Sequence, residues 1–405
     1  MSRRLLAAGA LLLALGAGFG LAPGAAGDGL LPFSTEEVGA IVSHGPWPPP
    51  WAADPSNRAS GNAAAVTLGE RLFFDPRLSV NGKVSCGSCH QPEHGWIDGE
   101  KRGFGLARVD RNTPTLLDVR LQRWFGHDGA ADSLWAQSMR PITDARELGA
   151  TPAHIAQLVR GDAQLACRYE NVFGEAPPAD DNAVLVGVGK LLAAFQETIV
   201  SSRTPFDRFR DAMAKGDRQR AAQYSLPAQR GLKIFIGKGA CNTCHFGANF
   251  TNNEFGDVGM SYFIEKGRVD PGRHGGIKTL NASPYTLLSR WNDDPARSTA
   301  TSTRHVEPEQ RNFGEFKVPT LRNALLSAPY MHDGSLASLR DVIRHYSELN
   351  EERLHADGQQ ILRPLRLTPA ESNDLLVFLE SVSTFTSPWR GNSASDDPPC
   401  VVKKK

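Results

Sequence analysis

Apolar residues recur at helical spacing along much of the 405-residue chain, and helix-start signals stand between them. Ser34 and Glu37 have the form of a capping box ahead of an apolar stretch at 38–42. Thr151-Pro152 and Thr368-Pro369 read as N-cap and first-turn pairs, opening helices over 152–160 and 369–382. Residues 183–199 form the longest apolar-rich helix of the first half and are expected to close it. Shorter apolar helices are predicted around 68–74 and 231–235, and another at 338–348. No run alternates clearly with the period of a strand, so the fold class is mostly α. Two stretches, 91–111 and 246–316, are rich in Gly, Asn, Asp, Arg and Pro. The second has 71 residues, long for a structureless loop, and is expected to wrap or line a functional pocket.

Chemistry enters through a motif that occurs twice. Cys86-Gly87-Ser88-Cys89-His90 and Cys241-Asn242-Thr243-Cys244-His245 are both C-x-x-C-H, the attachment sequence of c-type haem. Two thiols about one helical turn apart match two vinyl groups on one porphyrin edge, and the next residue offers an imidazole to the iron. A zinc site would need further Cys or His at ligand spacing, and neither motif has a partner cysteine nearby. Each motif is followed by a second shared segment. Pro114 precedes His127 by thirteen residues, as Pro319 precedes His332, and both histidines open H-D-G-x-x-x-S-L, ending at Ser133-Leu134 and Ser338-Leu339. The chain therefore reads as an internal duplication: two tandem cytochrome c-like haem domains packed face to face.

Charge and composition narrow the setting. The 45 Lys+Arg and 44 Asp+Glu nearly cancel, so no basic field exists to hold nucleic acid. Arg3 and Arg4 precede an apolar run at 5–21, then Pro23 and small residues at 24–27, the form of a cleaved secretory signal. The expected division is a signal peptide at 1–27, an N-terminal haem domain at 28–204, a C-terminal haem domain at 205–385 and a tail at 386–405. The mature protein is expected in the periplasm with no membrane span. Cys167 and Cys400 lie outside the haem motifs; a disulfide between them and two free thiols are both open.

As a set, these motifs resemble the bacterial di-haem cytochrome c peroxidases and the related MauG enzymes, over about 68–382. The resemblance rests on both C-x-x-C-H motifs, Asn112-Thr113-Pro114-Thr115, the His127-Asp128-Gly129 region, Pro141 with Glu147, and Pro329-Tyr330-Met331-His332-Asp333-Gly334. It implies that His90 and His245 hold the two irons, that peroxide meets the first haem, and that the second relays electrons. It places Gln137 and Pro141 in the distal pocket of the first haem, with Glu147 as the catalytic carboxylate. It puts the sixth ligand of the second iron fourteen residues after His332, at Tyr346, as in MauG, where ordinary peroxidases carry methionine. Read from the residues alone, His345, Met331 and Met260 stay open as ligands, with Tyr346 as core packing. The loop histidine that blocks the first iron of ordinary peroxidases falls in 103–108, which has none, so that iron is expected to stand open. His94 reads as a surface or propionate-contacting residue. The resemblance also implies a calcium ion held by Asn112 and the carbonyls of Ser327 and Pro329, hard oxygen donors suited to that cation. One position departs: the family's tryptophan between the haems is His127 here, with Trp124 three residues earlier, so the inter-haem path rests on His127 or Trp124.

Three functions are compatible with these residues. One is MauG-like oxidation of a residue on an exported partner protein, driven by hydrogen peroxide. The second is reduction of peroxide to water with electrons from a small cytochrome or cupredoxin. The third, a plain electron carrier, needs neither Glu147 nor an open iron. Tyr346 and the missing loop histidine favour the first, and His127 weakens that preference.

Overall fold

The computed structural model describes residues 29–354, 356–357, 362–385 and 399–401; the expected signal peptide and most of the tail lie outside them. Helices dominate, and the duplication is visible in three dimensions. In the first unit the helix Ala63–Phe73 packs across Asp181–Gln196, and in the second Leu226–Ile236 packs across Pro369–Ser381. Each crossing needs a glycine. A Cβ on Gly69 would lie 2.0 Å from the carbonyl oxygen of Leu191, and one on Gly231 would lie 2.0 Å from that of Asp374. The backbones touch there because nothing larger fits between them.

Around each crossing a triangle of rings fills the core. Phe73, Phe195 and Trp96 meet in the first unit at centroid separations of 5.3–6.1 Å. Phe235, Phe378 and Phe250 repeat the figure in the second at 4.9–6.4 Å. The shared Ser-Leu pairs prove to be helix starts. Ser133 accepts from the Ala136 N–H ahead of Leu134–Thr143, and Ser338 from the Asp341 N–H ahead of Leu339–Ser347. The capping box at Ser34–Glu37 forms as its spacing predicts, and Thr368, expected as an N-cap, closes a second box with Glu371.

The two cores are sequential, but their outer layers are exchanged. The arm that begins at Gly29 packs on the second unit: Ile41 of the helix Thr35–Ser43 is buried in that core. Glu37 pairs with Lys233 at 2.7 Å, and the Leu31 N–H donates to Gln229 Oε1 at 2.8 Å. In the other direction, the 246–316 stretch is not structureless. It holds an antiparallel pair, Phe263–Glu265 with Arg268–Val269, and the helix Arg273–Ala282, which lies against the first unit. A Cβ on Gly276 would lie 2.1 Å from the carbonyl oxygen of Asp128, and Asp270 pairs with Arg111 at 2.7 Å. Phe255–Gly256 and Phe316–Lys317 form a second antiparallel pair. Strands of two or three residues are too short for alternation to register in a sequence.

Cys167 and Cys400 are joined in a disulfide, with Cα atoms 6.0 Å apart. Among the described residues no helix is long and apolar enough to cross a membrane.

Candidate active site

Each C-x-x-C-H opens on a short helical turn, Cys86–Cys89 and Cys241–Thr243, and the four cysteines are free thiols. The following histidines are aimed by the same device in both units. His90 Nδ1 lies 3.1 Å from the Trp96 carbonyl oxygen, and His245 Nδ1 lies 3.1 Å from that of Phe250. A carbonyl only accepts, so Nδ1 carries the proton and Nε2 keeps its lone pair for a metal. Burial lowers both imidazoles, His245 to about 4, which keeps them neutral. The accepting residue is a large aromatic in the left-handed region, Trp96 at φ 65° and Phe250 at φ 50°. That conformation costs about 1–3 kcal/mol and persists because the ring triangles hold it.

The distal groups of the first site converge on one cavity of about 1090 Å³, lined by Cys86, Cys89, His90, Gln137, Pro141 and Glu147. Gln137 and Pro141 lie four residues apart on Leu134–Thr143, hence on one face. Arg140 Nη1 donates to Gln137 Oε1 at 3.3 Å. Glu147 follows the helix in a turn pinned by its own N–H to the Asp144 carbonyl at 3.0 Å. Burial, with Asp144 adding, pushes its carboxyl up to about 7 against the pull of Arg140 and Arg146. The 103–108 stretch, expected to leave the iron open, grips this carboxylate's backbone. Leu106 N–H donates to the Glu147 carbonyl at 3.0 Å and Ala107 N–H to that of Arg146 at 2.8 Å. Gly105 makes the approach possible, since a Cβ there would sit 2.6 Å from the Glu147 oxygen. Sequence reading missed this clamp; its only signal was a glycine in a glycine-rich loop. His94 is exposed.

In the second unit Tyr346 is buried beside Cys241 and Cys244, and burial raises its phenol. His345 is turned elsewhere, its Nε2 lying 2.7 Å from the Val258 carbonyl oxygen. The same acceptor argument makes that nitrogen a donor and leaves only Nδ1 of the ring with a lone pair.

At the junction, Asn112 N–H donates to the His332 carbonyl at 2.8 Å, and the Asn112 carbonyl accepts from His127 Nε2 at 2.9 Å. The His127 carbonyl accepts from the Lys317 N–H at 2.8 Å, and Phe316 stacks on His332 at 3.6 Å. These contacts close a ring across the two units. Burial, with Arg111 adding, lowers His127 to about 4, so it is neutral. His127 lines the cavity, whereas Trp124 lies behind it and its carbonyl accepts from Lys317 Nζ at 3.1 Å. Asn112 Nδ2 donates to the Glu100 carbonyl at 2.8 Å, which leaves Oδ1 for a cation. Among the described residues no group of three or more His, Cys, Asp or Glu is placed to hold a metal.

Two C-x-x-C-H turns whose cysteines form no disulfide and whose imidazoles are aimed alike, with a large cavity at the first, fit two c-type haems. Comparison with known proteins agrees. A family model described as di-haem cytochrome c peroxidase matches residues 63–215. The methylamine utilization protein MauG of Methylorubrum extorquens is 34% identical over 319 residues, 78% of this chain and 77% of that one. This chain belongs to the di-haem cytochrome c peroxidase/MauG family. Membership implies two c-type haems and a di-haem peroxidase-type oxidoreductase. A cytochrome-c peroxidase of a Pseudomonas species is 30% identical, covering 80% of this chain and 81% of its own. The crystal structure of a MauG-like protein associated with microbial copper homeostasis superposes with a TM-score of 0.64 at 26% identity, covering 85% of this chain and all of that one. Both branches of the family thus lie at similar distance.

Proposed function

We propose that this protein uses hydrogen peroxide at the His90 haem to oxidise a residue on a partner protein, with the His245 haem relaying electrons. The observation that carries the peroxide chemistry is the convergence of Cys86, Cys89, His90, Gln137, Pro141 and Glu147 on one cavity. The bound haem supplies the redox chemistry. Glu147, once ionised, moves a proton from one peroxide oxygen to the other as their bond breaks. Arg140 holds Gln137 by its oxygen, which leaves the amide N–H groups as donors, and Pro141 offers an apolar wall. Tyr346 is assigned as the second ligand of the His245 haem, supported by its place beside Cys241 and Cys244 and by the diversion of His345. A phenolate stabilises oxidised iron, which suits a haem that holds oxidising equivalents better than one that takes electrons from a small cytochrome.

The second reading is cytochrome c peroxidase activity, with a small cytochrome or cupredoxin as donor. It is favoured by the ring at His127, because imidazole is much harder to oxidise than the indole that the family places there. Tyr346→Met separates the two. For partner modification, the change should raise that haem's potential and abolish partner oxidation while electron uptake from a cytochrome holds. Peroxide turnover with a reduced cytochrome is measured beside mass spectrometry of co-expressed neighbouring proteins. Fast wild-type turnover with no mass shift on any neighbour would remove the modification reading.

The proposal includes a periplasmic setting, which suits the Cys167–Cys400 disulfide. It also includes calcium between the units, on Asn112 Oδ1 and the carbonyls of Ser327 and Pro329. Metal analysis of the purified protein, with Asn112→Ala as control, tests that assignment.

A further inference from the structure

The junction holds a buried cation that the chemistry above does not use. Arg273 is the first residue of the helix Arg273–Ala282 and is 3% exposed. Its guanidinium carbon lies 4.3 Å from the centroid of Trp124 and 4.0 Å from that of Phe255. Nη1 donates to the carbonyls of Asp128 at 3.2 Å and Gly129 at 2.8 Å. Two rings and two carbonyls hold it, while the Asp128 carboxylate is engaged by Arg111 at 2.7 Å.

This is an expensive place for a charge. Burial lowers the guanidinium to about 10, so it remains cationic at neutral pH. A cation at a helix N-terminus also opposes the helix dipole. The surroundings are shaped to admit it: Gly129 sits at φ 64°, and a Cβ there would lie 2.4 Å from both Nη1 and the Phe255 ring. An apolar side chain could fill the slot between the rings without the desolvation cost.

What an apolar side chain could not do is act on the electronics of the indole. A cation over the ring face is attracted to the neutral π system and repels a second positive charge on the same ring. Trp124 is buried, and the residues that follow it, Phe125 to His127, line the cavity. The indole covered by Arg273 thus belongs to a segment that borders the reacting space, and it is the most easily oxidised ring of that segment.

We propose that Arg273 is a positioning residue that prevents Trp124 from yielding electrons to the peroxide-oxidised first haem, so that oxidising equivalents leave through the intended donor. The inference rests on the peroxide reading above. Reducing one hydrogen peroxide to two waters takes two electrons and two protons. The intended donor supplies both electrons. In the suppressed reaction Trp124 loses two electrons and two protons and gains one oxygen from water, so indole and peroxide give hydroxyindole and water.

The test treats the haem-loaded full chain with hydrogen peroxide and no external donor, then maps oxygen addition at Trp124 by peptide mass spectrometry. Trp96 and Trp135 serve as internal references. Arg273→Gln removes the charge but keeps an amide donor toward the two carbonyls; Arg273→Met is the second neutral variant should the first lose haem. Arg273→Lys keeps the charge. Trp124 should stay unmodified in the wild type and gain roughly tenfold more oxygen in the neutral variants. The Lys variant should fall below them. Equal oxidation in wild type and neutral variants overturns the proposal, and equal oxidation in the Lys and Gln variants assigns Arg273 to packing alone. If peroxide leaves the haem absorption unchanged, the parent reading fails, and this one fails with it.

Discussion

Glu147 carries a carboxyl pushed up to about 7, and its value as a base depends on the ionised fraction. Peroxide-driven oxidation should therefore rise with pH through about 7. Glu147→Gln should keep both haems, run ~10²–10⁴-fold slower and lose that pH limb, as a stopped-flow pH series would show. Gly105→Ala makes a separate test of how the carboxylate is held. Its Cβ would meet the Glu147 carbonyl oxygen, so turnover should drop while haem content stays the same. The nearness of Pro141 and Glu147 was legible in the sequence because six residues separate them, and both line the cavity. The environment that raises the carboxyl was not, since Gly105 and the backbone donors of Leu106 and Ala107 come from a segment with no periodicity. The aromatic carbonyls that aim His90 and His245 were hidden for the same reason. Nothing in the chain marks Trp96 or Phe250 as left-handed, and the conformation is imposed by packing.

The paired helices were legible because their apolar spacing and caps are local. Gly69 and Gly231 give their crossing a quantitative test. Replacing either with Ala forces a methyl against a carbonyl oxygen 2.0 Å away and should cost about 1–3 kcal/mol, read as a fall in the urea midpoint. The two losses should be separable by unit: Gly69→Ala should loosen the His90 haem first, and Gly231→Ala the His245 haem. The second long segment was expected to wrap or line a pocket, and Ile264, Asp270 and Lys278 do line the cavity, but its own structure was not foreseen. Its strands are two or three residues long and its helix Arg273–Ala282 starts without a side-chain cap, so the usual signals are missing. It is ordered from outside, by Arg111 on Asp270 and by the Asp128 backbone against Gly276.

At the scale of the molecule, the disulfide joins residue 400 to the helix Ala163–Phe173 of the first unit, closing a loop with a sequence separation of 233 that contains the second haem motif but not the first. Replacing Cys167 and Cys400 together with Ser should lower stability by roughly 2–4 kcal/mol and leave both haems in place. Thermal unfolding followed at the haem absorption would measure it. The duplication was readable from spacing alone, because repeated attachment chemistry forces repeated distances. The exchange of outer layers was not, since the arm's Ile41 and Glu37 look no different from residues that pack locally.

That exchange sets a timetable for assembly. The stretch that completes the second core is made first, and its partners Phe206, Leu232 and Phe235 follow more than 160 residues later. Ile41 therefore stays uncovered until those residues have followed it. Until then the first unit can close on its own haem without its leading segment. The earliest part of the chain is thus a late-acting latch, and it secures the second haem unit only once that unit exists.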